Sequence, residues 1–495
     1  MNKWLIENKT LILWFSMVMF FIIAGWLLYF FYGSKIIQDI YAARMMQPNL
    51  KLTMPYQSAY YAKAMSGFIN YAFIALIFII SMFFLLAMRF KKKILSFRLP
   101  FLLISSLLLI LISLHLFYKI YFDTGEASPY VAQAAAFLQG KLYLPGSFCD
   151  AAYYKGHYYM LSSPTPSFVF LPVVALVGEK NTKTILASLL FCLLNIYLLT
   201  RILKKLGIEI AHIRWLIAAF FFGTGYWSIA ESGYGTNFDH LLVIPFLFLA
   251  INEILGRNRG IFAGIFLGIA FLSRPIVLYS FFFILVGLWT NPSPNNTKDK
   301  LANVFGFIFS FSLFVGIYLF FNWIRFGNIF DSGLSHLIYT GYMKERIDMF
   351  GNFNPVYIPY NFYLLFLKGF SVEFSPPLYV GGMLMDILGT SLTFASPFVF
   401  FSFWAKWNKN LLIAAWASIC AEIIHILLFA GNGGWQINSQ RYALDFLPIL
   451  ILLVALGIKN VREDVWKPAI IYSIILNILA LYIIPLCRII EKIVS

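Results

Sequence analysis

Residues 100–140 read PFLLISSLLLILISLHLFYKIYFDTGEASPYVAQAAAFLQG. From 100 to 120 the side chains are almost wholly apolar, and about 20 such residues at 1.5 Å each cross roughly 30 Å of hydrocarbon. Beyond residue 120 the character changes. Asp123 and Glu126 appear, and then Ser128, Pro129 and Gly140 punctuate a short helix. Ser suits the N-cap, Pro the first helical position and Gly the residue after the last turn. The spacing predicts a helix over 129–139 whose Tyr130, Ala134, Phe137 and Leu138 share one face, as a helix lying in the membrane interface requires.

Apolar runs of this length recur along all 495 residues, of which 61% are hydrophobic, and the mean hydropathy is +0.80. A soluble core has no use for so much apolar surface. In lipid the backbone must satisfy its own hydrogen bonds, and the runs lack the alternating ten-residue pattern of a barrel. The expected fold is therefore all-α, a polytopic transmembrane bundle of about 11 to 14 spans with outward-facing loops and short interfacial helices. Candidate spans are 11–33, 67–88, 100–120, 182–200, 214–230, 240–255, 303–322, 378–402, 411–430, 443–458 and 468–486. Residues 165–178 form a run too short to span comfortably. The run 261–290 is broken by Ser273, Arg274 and Pro275, which points to a half-helix or a tight pair.

A formal net charge of +16 sets topology here, since no basic stripe with interleaved aromatics suggests nucleic acid. Arg89, Lys91, Lys92, Lys93 and Arg98 mark a cytoplasmic loop. If 165–178 does not cross and 261–290 returns to its own side, five later clusters fall inside with it. These are Arg201/Lys204/Lys205/Arg214, Arg257/Arg259, Lys298/Lys300, Lys406/Lys409 and Lys459/Arg462/Lys467. The loops 121–164, 231–239, 323–377 and 431–442 then gather on the outer face. The strip 89–98 divides two N-terminal spans and their basic loop, 1–98, from a core over 99–495. The apolar run 11–33 is too long for a signal peptide and is expected to remain as an anchor. Cys149, Cys192, Cys420 and Cys487 have no metal-ligand spacing.

Glu126 precedes the N-terminus of the 129–139 helix, whose dipole favours an ionised carboxylate, the state that accepts a proton from an attacking hydroxyl. The plainer alternative is a solvated loop acid. Asp239 and His240, with Glu231 upstream, mark a second outer-loop site; two acids and a His do not specify a metal. The residues specify no certain cofactor, and a divalent metal is considered but not favoured. Glu422 and His425 stand one helical turn apart inside an apolar run, where they are expected to bond each other.

In the first outer loop the order TG, an acid and Tyr four residues later resembles the C-type-fold glycosyltransferases that use polyprenyl-phosphate sugars. Three further stretches follow in the order of that family, the protein O-mannosyltransferase and aminoarabinose transferase group. They are YYKGHYYMLSSPTPSFVFLPVVALVG from 153, FNWIRFGNIFDSG from 321 and GGWQINSQRYALDFLPIL from 433. The resemblance covers about residues 100–460 and implies a C-type fold, a polyprenyl-phosphate sugar donor, and a glycan, lipid or protein acceptor. It implies an essential acid in the first outer loop at Glu126, where the family usually has Asp, with Asp123 as rival. Arg441 and Arg325, at outer membrane boundaries, are the expected donor-phosphate ligands, ahead of Lys344 and Arg346. Tyr153, Tyr154, Tyr158 and Trp435 are candidates for stacking on sugar, with interfacial anchoring as their ordinary alternative. The expected setting is the plasma (inner) membrane of a prokaryote, with the site facing outward.

The competing class is a multi-pass transporter or flippase of lipid-linked sugars, which predicts midplane charges and repeated halves. Asp386, Glu422 and His425 are the main charges that would fit it, and no duplication is evident. A noncatalytic scaffold would leave the ordered loop motifs without a use.

Overall fold

The computed structural model describes residues 128–483, apart from 149, 162–163, 233–236, 293–295, 340, 371, 374–383, 386–387, 433–435 and 437. The N-terminal unit 1–98, the span 100–120, Asp123, Glu126, Trp435 and Asp386 lie outside the described residues. The chain is a helical polytopic membrane protein. Among the described residues four helices are long and apolar enough to cross a membrane, at Thr184–Lys205, Thr297–Phe326, Lys409–Leu428 and Glu463–Tyr482. Shorter apolar helices pack among them.

The first described helix, α1 (Pro129–Leu138), begins at Ser128 with Pro in its first turn, and Gly140 follows with a left-handed φ of 73°. Its surroundings differ from those of an interfacial helix. Tyr130, Val131, Ala132, Gln133 and Ala134 are all buried, so protein covers more than one face. Much of that cover is α2 (Thr165–Val177), where Ser167 Oγ donates to Gln133 Oε1 at 2.6 Å. Between them a hairpin, β1 (Ala151–Tyr154) with β2 (His157–Met160), pairs Ala151 with Met160 and Tyr154 with His157.

Helix α3 (Thr184–Lys205) is followed by α4 (Ile210–Phe222) and α5 (Tyr226–Ser232), which divide the expected span 214–230 at Gly223–Gly225. Next come α6 (Phe238–Ile254), α7 (Gly260–Ser273), α8 (Ser280–Thr290) and α9 (Thr297–Phe326). The run 261–290 is an out-and-back pair. Asn258 Nδ2 donates to Leu288 O at 3.1 Å and Asn291 Nδ2 to Ile254 O at 2.6 Å, so α8 ends where α7 began. Pro275 supplies the break by removing a backbone donor and forcing Arg274 into an extended conformation.

Helix α7 lies against α9 in parallel, with Gly260, Gly264 and Gly268 facing Asn303, Phe307 and Phe314 in turn. Small residues four apart let two backbones approach closely in lipid. The opposite face of α9 exposes Phe305, Phe309, Leu313, Ile317 and Phe320, an apolar stripe suited to lipid.

The expected span 378–402 is not one helix. Its described parts are the strand Leu384–Met385, which pairs with Val372–Glu373 upstream of the span, then a four-residue helix, Leu392–Ala395, and a 3-10 run, Pro397–Trp404. Gly389 and Pro397 punctuate this stretch, which periodicity alone did not divide. Three helices follow: α10 (Lys409–Leu428), α11 (Leu447–Ile458) and α12 (Glu463–Ile478).

All five described basic clusters meet at one end of the bundle. Lys205 Nζ donates to Asn252 O at 2.7 Å, Lys459 Nζ to Leu206 O at 2.8 Å and Asn460 Nδ2 to Trp404 O at 3.0 Å. His212 Nε2 lies 2.8 Å from Glu463 Oε1, and the start of α9 meets Gly260 through Asn303. The starts of α6 and α11, the α7–α8 turn and the end of α9 therefore lie at the other end.

Candidate functional site

At that other end four elements bring charged side chains together. Asp239 sits in the first turn of α6, where its Oδ1 accepts from His240 N at 2.8 Å and the helix dipole favours a negative charge. Its Oδ2 accepts from Arg274 Nη1 at 2.8 Å. Arg274, at the α7–α8 turn, also donates from Nε and Nη2 to the two carboxylate oxygens of Asp445 at 2.7 and 2.9 Å. Asp445 lies between the 3-10 turn Arg441–Leu444 and α11, and its Oδ1 is 3.3 Å from His240 Nδ1. Asp239, His240 and Asp445 are buried. One guanidinium against two carboxylates spends all its charge inside the protein.

A second layer is open to solvent on one side. Arg441 is partly exposed; its Nη1 donates to Asn237 Oδ1 at 3.0 Å and its backbone N to Gln436 Oε1 at 2.7 Å. The Tyr442 ring is within cation–π reach of two guanidinium groups, 5.3 Å from Arg441 and 5.7 Å from Arg274, and 5.8 Å from His240. Asp150, on the turn before β1, is exposed. The protein crowding its inner side raises its carboxyl pKa; the Arg441 charge opposes that and the Asp239 charge adds to it.

Glu422 and His425 do not bond each other. Glu422 Oε1 accepts from Ser280 Oγ at 2.9 Å, and His425 Nδ1 lies 3.3 Å from Tyr279 OH. Both partners stand at the start of α8 and the turn before it, so the pair reads that element instead of closing on itself.

The remaining sequence candidates are dispersed. Arg325 is buried, with Nη1 on Met160 O at 2.6 Å, Nη2 on Asn322 Oδ1 at 3.0 Å and Nε on Phe321 O at 3.3 Å. Together with Tyr154 OH on Phe326 O at 3.0 Å, it fastens the β1–β2 hairpin to the end of α9. Tyr153 is exposed and packs on Tyr158 at 5.0 Å, whereas Tyr154 faces His336 at 4.7 Å. Glu231 is buried on α5 near the Tyr482 phenol. Arg346 lies over Tyr357 at 4.4 Å, and Lys344 pairs with Asp348 on the surface. Among the described residues no three His, Cys, Asp or Glu side chains gather as metal ligands.

The structure thus unites Asp239, His240 and Arg441 and adds four groups that sequence reasoning missed: Arg274, Asp445, Tyr442 and Asp150. Two of these carry a signal. A charge inside an apolar run demands a partner, and Arg274 at a Pro break and Asp445 four residues after Arg441 complement each other. Asp150 has none beyond being an acid in the first outer loop.

No family model and no curated protein matches the chain. Among solved structures it is similar to the crystal structure of ArnT from Cupriavidus metallidurans bound to undecaprenyl phosphate, with 13% identity and a TM-score of 0.44 over 74% of this chain. The match spans 61% of the length of that protein.

Proposed function

We propose that the chain is a membrane glycosyltransferase that moves a sugar from a polyprenyl-phosphate-linked donor to an acceptor hydroxyl at the outer membrane face, with inversion at the sugar carbon. The observation that carries this reading is Arg441, a partly exposed guanidinium held by Asn237. It stands at the end of the bundle away from the basic loops, within GGWQINSQRYALDFLPIL. Positive-inside topology makes that end the outer one, and the lipid phosphate of such a donor sits at membrane-boundary depth.

Glu126 takes the proton of the acceptor hydroxyl as its oxygen bonds to the anomeric carbon. The bond from that carbon to the phosphate oxygen breaks, and its electron pair leaves with the lipid phosphate. Arg441 offsets the charge that develops there, a task for which a preorganised guanidinium is suited. Asp123 is the rival base. The Arg274 network has no charge to offer a phosphate; its part is to fix Asp239 and Tyr442 beneath Arg441. Arg325, committed to the hairpin, is assigned to supporting the loop. Tyr153, Tyr158 and Trp435 remain candidates for stacking on sugar, and the acceptor is a glycan, lipid or protein hydroxyl.

The test is sugar transfer by purified protein in liposomes, with a panel of polyprenyl-phosphate sugars and these acceptor classes. Glu126→Gln is expected to cut turnover by about 10²-fold or more while donor binding persists, and Arg441→Gln to raise the donor KM. Loss confined to Asp123→Asn would move the base three residues upstream. Donor crossing the bilayer without transfer would sink the transferase reading in favour of a flippase.

A further inference from the structure

Asp150 has φ of 60°, a left-handed conformation that Asp and Asn enter at least cost among residues with a side chain. The turn is closed by Ala151 N on Phe148 O at 3.2 Å, so its carboxylate does not hang from a slack loop. The walls around it are tied down. On one side Ala152 bridges Leu337, and Tyr339, a neutral phenol that feels the Asp150 charge, donates from its OH to Asn352 Oδ1 at 3.3 Å. On the other side are Arg441, anchored to Asn237, and Asp239, anchored to Arg274. The fold thus holds the carboxyl of an exposed residue, its inner side crowded by protein, in a backbone conformation most residues avoid and within electrostatic reach of the cation assigned to the donor phosphate.

A carboxylate so placed repels phosphate oxygens, and an ionised one can only accept hydrogen bonds. The nearest donors on a phosphate-linked sugar are its own hydroxyl groups, the first of them on the carbon next to the anomeric carbon that carries the phosphate. We propose that Asp150 is a substrate-contacting residue that accepts hydrogen bonds from hydroxyls of the transferred sugar while Arg441 holds the phosphate to which the sugar is attached. This deepens the transferase reading and rests on it. Asp150 is then a specificity residue, separate from the base, and it favours sugars whose hydroxyls point toward β1.

The experiment compares binding of sugar-free undecaprenyl phosphate with binding of undecaprenyl-phosphate-linked hexoses and pentoses, using the full chain in liposomes. Asp150→Asn is expected to weaken the best-bound phosphosugar by about tenfold or more, the effect of losing a hydrogen bond to a charged group. Binding of the sugar-free phosphate should be unchanged or tighter, since a negative charge has left the vicinity of Arg441. Asp150→Gly, which adopts the same backbone freely, should show the same loss and so assign it to the carboxylate. Unchanged phosphosugar affinity would overturn the proposal. So would equal losses for both lipids, because Asp150 would then act only by positioning Arg441. A wild type that binds neither lipid would overturn the transferase reading itself, a result distinct from these.

Discussion

Arg274 grips Asp445 through two parallel N–H···O bonds, Nε to Oδ1 at 2.7 Å and Nη2 to Oδ2 at 2.9 Å, and so ties the turn of the α7–α8 hairpin to the start of α11. Its third bond reaches Asp239 on α6. Removing the cation leaves two buried carboxylates uncompensated, a loss of about 3–5 kcal/mol for a broken buried pair. Arg274→Gln is therefore expected to lower the temperature at which the detergent-solubilised protein stops eluting as a single species. Arg274→Lys should recover little, because an ammonium is a point charge without the planar fork. Wild-type heat stability in Arg274→Gln would show that the network does not hold the hairpin.

The α7–α9 contact makes a second prediction whose sign is informative. Ala is a better helix former than Gly by about 1 kcal/mol, so Gly264→Ala would stabilise an isolated helix. Here its Cβ would press into Ser310 Oγ and Phe307 O, and the protein should instead lose heat stability. Gly316→Ala on α9 meets nothing within 4 Å and should be neutral or mildly stabilising. Equal responses at the two positions would mean that the helices do not meet as described.

Orientation is tested by labelling. With the four native cysteines replaced, Lys344→Cys should react with a membrane-impermeant maleimide in intact cells, and Arg257→Cys only after permeabilisation. The basis is geometric as well as electrostatic, since Arg257 belongs to the end where the basic clusters meet. Reversed labelling would put Arg441 and Asp150 on the cytoplasmic side and remove the outward-facing reading.

Much of the bundle was legible in the sequence because lipid imposes one requirement, a long apolar helix, and length and charge record it directly. The break at Arg274–Pro275 was legible for the same reason. Less was legible where burial is set by neighbours distant in sequence. Helix α1 begins at the Pro129 that the sequence marks, although Ser128 makes no side-chain cap bond, and what covers it is α2, which its own periodicity does not name. Glu422 and His425 have the spacing of a bonded pair, but Ser280 and Tyr279 approach from another element and take them separately. The repeat Gly260, Gly264, Gly268 is a plain packing signal, and its partner on α9 is found only in three dimensions. In the candidate site, Asp239, His240 and Arg441 stood out as polar residues at span ends, whereas Asp150 acquires meaning only from Arg441, far along the chain.

The titration of Asp150 supplies the last prediction. Crowding by protein raises its folded-state pKa above the ordinary carboxylate value, with Asp239 adding to the shift and Arg441 opposing it. Tyr339 is a further titratable group beside it. A raised folded pKa means that the native state holds the proton more tightly than the unfolded chain does. The favourable contribution is therefore complete below the unfolded value, about 3.9, and is lost as pH rises through the folded pKa. Asp150→Asn mimics the protonated form at every pH. Its midpoint of thermal unfolding should match wild type in acid and exceed it at neutral pH, with the gap opening above about pH 4. A gap that instead opens toward acid pH would mean that Arg441 wins over crowding and that Asp150 stabilises the fold as an ion pair. The expected outcome, an acid that costs the fold something at working pH, is what a carboxylate kept for substrate contact requires.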